Sequence, residues 1–144
     1  MKDSCVIFLC ASVEEEAVIG VLREKVFFSE QGIPIEAIWD EDDEYAFHFF
    51  AKTLTGEVVG AVRLTRSGQV GRLAVKKSCR GQGIARLLIE YLMLFAKVNS
   101  FQPLYLNAQV QTISFYEKFG FVFVGDVFVE VGIEHILMEY SYAE

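Results

Sequence analysis

Proline is scarce in this chain, with only Pro34 and Pro103 in 144 residues, so no proline-rich linker divides it. Cysteine is scarce too. Cys5, Cys10 and Cys79 are too few and too scattered for a disulfide framework or a structural zinc site, and they point to a reducing compartment. Basic residues are outnumbered, thirteen Lys and Arg against twenty Asp and Glu, giving a net charge of −7. That balance argues against a nucleic-acid partner, which requires a basic face. No apolar run approaches the roughly 18 residues of a membrane span. The two histidines, His48 and His135, have no neighbours at metal-ligand spacing, so no metal is expected. The opening MKDSCVIFLCAS holds an apolar run from Cys5 to Ala11, barely the length of a signal core, and Asp3 spoils a positive flank. It reads as a first buried strand, and the protein as soluble and cytoplasmic.

What is present is core-forming material. Hydrophobic residues make up 53% of the chain and charged residues 23%, which excludes a disordered polymer and suits one domain over 1–144. Ser12-Val-Glu-Glu15 is a capping box, and Val13, Ala17, Val21 and Leu22 behind it predict a helix over 13–28. Gly32 and Pro34 break that helix. The run Asp40 to Glu44 reads as an acidic loop, either simply solvated or able to recruit a cationic amine. Three strands then follow between turn signals, at 45–52, 57–66 and 69–76, with Val58, Gly60, Val62 and Leu64 on one face of the second. Ile84, Leu87, Leu88, Tyr91, Leu92, Phe95 and Val98 mark a long amphipathic helix. Pro103 introduces a strand over 104–108, and this strand–helix–strand crossover implies a parallel pairing. A short helix ends at Gly120, and strands over 121–130 and 133–142 close the chain as a hairpin. The class is α+β: a mixed, mostly antiparallel sheet flanked by helices, in the order β-α-α-β-β-β-α-β-α-β-β.

The chemistry concentrates where a strand runs through Arg80-Gly-Gln-Gly83-Ile-Ala85 into the long helix. No Ser, Thr, Asp or Asn stands immediately before Gly81, so the amides of Gln82 to Arg86 are orphan donors at the positive end of a helix dipole. Gly81 and Gly83 let an anion approach that backbone, so the loop reads as a phosphate cradle, or otherwise as a tight strand–helix turn. It is neither a P-loop nor a dinucleotide-binding fingerprint.

These residues resemble motif A of the GNAT N-acetyltransferases. Asn107-Ala-Gln-Val-Gln-Thr-Ile-Ser-Phe-Tyr-Glu-Lys-Phe-Gly-Phe121 is similar to the family's motif B, and the likeness covers nearly the whole chain. Arg23 to Pro34, then Asp40, Asp43 and His48, and the late Glu130-Val-Gly-Ile-Glu-His135-Ile-Leu-Met138 resemble the small bacterial subgroup typified by ElaA and YjcF. Glu134 departs from that subgroup, which has proline there.

The resemblance implies acetyl-CoA as cosubstrate. Arg80, Gly81, Gln82, Gly83, Ile84, Ala85 and Arg86 would hold its pyrophosphate, and Leu73, Ala74 and Val75 would pair with its pantetheine arm. Asn107 would meet the cofactor from the fifth strand, and Tyr116 would donate a proton to the departing thiolate. Glu30 and His135 are level candidates for the base, with His48 weaker and water also able to serve. The acceptor is expected to be an amine on a small molecule or peptide. The alternative class is a non-catalytic acyl-CoA sensor. The aromatic closing hairpin (Phe121, Phe123, Phe128) suits a homodimer edge.

Overall fold

The computed structural model describes residues 5–101 and 103–141. The first four residues and Tyr142, the expected end of the last strand, lie outside them. Strand β1 (Cys5–Leu9) leads to helix α1 (Val13–Arg23), whose cap is as expected at Ser12: its hydroxyl accepts from the Glu15 amide at 3.1 Å. The Glu15 carboxylate reaches back one residue further than a regular box, accepting from the Ala11 amide at 2.8 Å. The helix does not stop at 28. It widens into a π-helical segment over Glu24–Glu30, a local irregularity that often marks functional sites.

The apolar stripe of this helix differs from the expectation. Val13 and Val21 are exposed, and the buried face is Ile19, Leu22, Arg23, Val26 and Phe27. That set follows i, i+3, i+4, i+7, i+8 with an arginine in its middle. The second helix of the expected order is replaced by two 3-10 turns, Ile35–Ala37 and Glu41–Glu44.

Strands β2 (Phe47–Thr53), β3 (Val58–Leu64) and β4 (Val70–Val75) continue the antiparallel order β1-β2-β3-β4. Burial of β3 is two-sided from Val59 to Leu64, because α1 covers one face and helix α2 (Ile84–Val98) the other. Helix α2 buries Ile84, Leu88, Ile89, Leu92 and Ala96, whereas Val98 is exposed. After α2 come β5 (Leu104–Gln109), the short α3 (Ile113–Glu117), β6 (Val122–Glu130) and β7 (Ile133–Tyr140).

The expected single mixed sheet is in fact two antiparallel sheets, the second in the order β5-β7-β6. They meet at one parallel bridge, Gln69 with Tyr105, where the Tyr105 amide donates to the Gly68 carbonyl at 3.1 Å. Gly68 is required here: a Cβ would lie 2.8 Å from the Pro103 carbonyl oxygen, and φ is +97°. Beyond the bridge no pairing joins β4 to β5 among the described residues. The cause of the parting is a bulge in β4. Three steps from Gly71 to Ala74 match two from Arg63 to Ala61, and Arg72 takes the left-handed φ of +54°.

Candidate active site

Helix α2 starts at Ile84 behind Gly83, with no side-chain cap. Its first helical bond is from the Leu87 amide to the Gly83 carbonyl, 3.0 Å, so the amides ahead of it point out of the helix start. Gly81 and Gly83 have φ of +78° and +84°, a conformation that side chains resist. A Cβ on Gly81 would meet nothing within 4 Å, so the space over this turn is open. The Arg80 side chain does not reach into that space. Its guanidinium donates to the Val75 carbonyl at 3.0 Å and to the Glu30 carboxylate at 2.8 Å.

From this turn the free edge of β4 runs inward. The Lys76 amide donates to the Val59 carbonyl, so alternation turns the backbone of Ala74 toward β3 and that of Leu73 and Val75 toward the open side. Of the three expected strand residues, Ala74 therefore has its polar groups engaged and its side chain buried among Ile19, Leu22 and Phe50. Leu73 and the Val75 amide keep the open edge, the Val75 carbonyl being taken by Arg80.

The edge leads to a cavity of about 470 Å³ between the parted sheets. Leu73 lines it from β4, Asn107 from β5, Tyr116 from α3 and His135 from β7. Burial pushes the Tyr116 phenol up to about 12, so it keeps its proton at neutral pH. Its ring packs edge-on against Phe115 and Phe121. His135 is nearly buried, stacks on Phe128 and donates from Nδ1 to the Ile133 carbonyl at 2.7 Å. That bond leaves Nε2 as the proton-accepting nitrogen. Glu30 is elsewhere: it is absent from this cavity and holds Arg80. Its neighbour Gln31 does line the cavity, and the Gln109 side chain donates to it at 3.2 Å, tying the end of β5 to the π-helical segment.

The acidic run is only partly a solvated loop: Glu41, Asp42 and Glu44 are exposed, whereas Asp43 is buried and Asp40 is tied to arginines. Asp40 caps the 3-10 turn, and Asp43 is buried with Arg23 and Arg63, both of them 1% exposed. Arg23 donates to Asp43 Oδ1 at 3.0 Å, and Arg63 lies 2.6 Å from Asp40 and 3.1 Å from Asp43. Arg72 adds a bond to Asp40 Oδ2 at 3.1 Å. Neither Arg63 nor Arg72 is legible as a site residue from local motifs. The available signals are an arginine inside an apolar helix stripe and another inside a doubly buried strand.

His48 completes the cluster as a neutral ring. Nε2 donates to the Asp43 carbonyl at 2.9 Å, and Nδ1 accepts from Arg23 at 3.3 Å. Burial first, and then the Arg23 charge, pull its pKa below the usual 6.5, against the bond to the Asp43 carbonyl and the Asp43 and Glu16 carboxylates. An unfolded chain therefore takes up a proton near pH 6.5 that the folded chain refuses, so stability falls as pH drops from there. Thermal melts from pH 7.5 to 5.5 should show that loss, at most about 1.4 kcal/mol per pH unit from this group, and His48→Gln should flatten the slope. An unchanged slope would place the titration elsewhere.

The Acetyltransferase (GNAT) domain profile matches residues 11–142. The chain belongs to the GNAT acetyltransferase family. This acetyltransferase is 33% identical over 122 residues to YjcF of Bacillus subtilis, named an uncharacterized N-acetyltransferase, covering 81% of this chain and 86% of the relative. Escherichia coli ElaA superposes on it with a TM-score of 0.83 at 27% identity, over 96% of this chain and 99% of ElaA. A GNAT acetyltransferase of Elizabethkingia anophelis, solved with acetyl-CoA bound, shares the fold at a TM-score of 0.68 and 19% identity, over 98% of this chain and 100% of that one. The acetyltransferase is thus an enzyme of acyl transfer, and the parted sheets and uncapped helix start are the parts of it that face open space.

Proposed function

We propose that the protein moves an acetyl group from acetyl-CoA to a primary amine by direct attack while both are bound. One observation carries the reading: an open strand edge joins an uncapped, glycine-lined helix start to a cavity holding Tyr116, Asn107 and His135. The amides from Gln82 to Arg86 suit a pyrophosphate. The edge of Leu73 and Val75 suits an amide-bearing pantetheine arm, laid alongside like an added strand. The bound form of acetyl-CoA in the Elizabethkingia anophelis enzyme, whose fold this chain shares, supports the same cosubstrate.

In the reaction the amine nitrogen bonds to the thioester carbonyl carbon and the carbon–sulfur bond breaks. His135 Nε2 takes the proton of the attacking amine, a role for which Glu30, held by Arg80, is poorly placed. The Leu73 amide, first after the bulge on the open edge, stabilises the developing oxyanion. Tyr116, with a phenol that stays protonated, donates to the thiolate as it leaves.

The test combines calorimetry of coenzyme A binding with thiol release from acetyl-CoA across amines. Coenzyme A is expected to bind. Gly83→Ala, which forces a side chain into φ of +84°, should weaken it by about tenfold. Absence of binding to the parent protein would overturn the assignment.

A further inference from the structure

The cavity proposed to receive the acetyl group is also lined by part of the arginine–carboxylate cluster, in which hydrogen-bond donors outnumber acceptors. Its lining there is Ile38, Asp40, Arg63 and Arg72, with Glu130 from the β6–β7 hairpin at the rim. Three guanidiniums (Arg23, Arg63, Arg72) meet the two carboxylates of Asp40 and Asp43. His48 is neutral and supplies no negative charge.

All four carboxylate oxygens of that pair are already occupied. Asp40 Oδ1 takes Arg63 and the Asp42 amide, and Asp40 Oδ2 takes Arg72. Asp43 Oδ1 takes Arg23, and Asp43 Oδ2 takes the Asp40 amide. Donors outnumber acceptors: the Nε atoms of Arg23 and Arg63 are buried without a partner. Arg72 lines the cavity and remains about a quarter exposed, its other bonds going to the Ile38 and Ala37 carbonyls. Its left-handed backbone at the β4 bulge is what carries it to this position, and such a strained non-glycine residue persists only when its surroundings hold it. Buried guanidiniums of this kind are stabilised when their unmet N–H groups find an acceptor.

We propose that the acceptor is an amine that also carries a carboxylate, with that carboxylate held at Arg72 over Arg63. This rests on the acetyl-transfer reading and extends it to the substrate class. The carboxylate supplies acceptors that the cluster lacks and forms a charge-assisted bond to a guanidinium edge. Glu130 sits on the same rim and attracts the incoming amine as its ammonium, which gives one proton to solvent before the neutral amine attacks and passes its second to His135.

The experiment pairs each free amino acid with its C-terminal amide and with the amine lacking the carboxyl group. Each is titrated by calorimetry into the free and the coenzyme A-loaded protein, and assayed for thiol release from acetyl-CoA. At least one amino acid should bind, and turn over by kcat/KM, ten- to a hundredfold better than its amide. Arg72→Gln should raise KM for the acid and erase the preference, with coenzyme A affinity kept as the control for folding, and Arg72→Lys should restore part of it. A short peptide with a lysine and a free C-terminus, against the same peptide amidated, tells a free amino acid from a chain end. Equal or better use of the amides and decarboxylated amines would overturn the proposal, as would amino acids that neither bind nor react. Because binding is read without turnover, a protein that ignores coenzyme A but prefers the acids would sink acetyl transfer and keep the anion site.

Discussion

Tyr116→Phe is expected to lower kcat about 10²–10⁴-fold while coenzyme A binds as before. The hydroxyl is the one group removed, and the ring still packs on Phe115 and Phe121. Since burial holds the phenol near 12, its proton is present across the whole working range, so the lost function is donation to a thiolate rather than charge. A reactive thioester with a better leaving thiol should recover part of the rate, because such a leaving group needs less help. Undiminished turnover in Tyr116→Phe would remove this residue from the mechanism. No turnover in the parent protein with any amine, alongside firm coenzyme A binding, would instead favour an acyl-CoA sensor.

The second large effect is on stability. Asp43→Ala should cost about 3–5 kcal/mol in urea denaturation, because it takes the carboxylate from Arg23, 1% exposed, and leaves the equally buried Arg63 with Asp40 alone. Glu44→Ala, one residue on and exposed, should stay within about 0.5 kcal/mol. The contrast separates a buried ionic cluster from a solvated acidic loop. Equal effects would mean the run acts as a loop after all.

The glycine loop, the crossover helix and the closing hairpin are legible in sequence because each is a local signal: a missing cap, a 3.6-residue period, a turn dipeptide. The parting of β4 from β5 is not local. It follows from a bulge whose extra residue, Arg72, looks like any strand arginine in sequence. The α1 stripe departs from its local pattern for a related reason. Arg23 occupies an inward position, and only its tertiary partner Asp43, twenty residues away, makes that position tolerable. Glu30 and Gln31 show the limit from the other side. Both lie at the end of one segment, yet the π-helical end of α1 turns Gln31 to the cavity and leaves Glu30 with Arg80. A one-residue difference in helical phase decides which is near the chemistry.

The single bridge at Gln69 and Tyr105 has a consequence for how the free protein breathes. Set side by side through that bridge, the orders β1-β2-β3-β4 and β5-β7-β6 put β4 and β5 inside the array, where amides ordinarily trade hydrogen for deuterium most slowly. With nothing paired beyond that bridge among the described residues, the Leu73 and Val75 amides should exchange as if they sat on an outer rim, and the slowest sites should lie in β2, β3 and β7, which have a neighbour on each side.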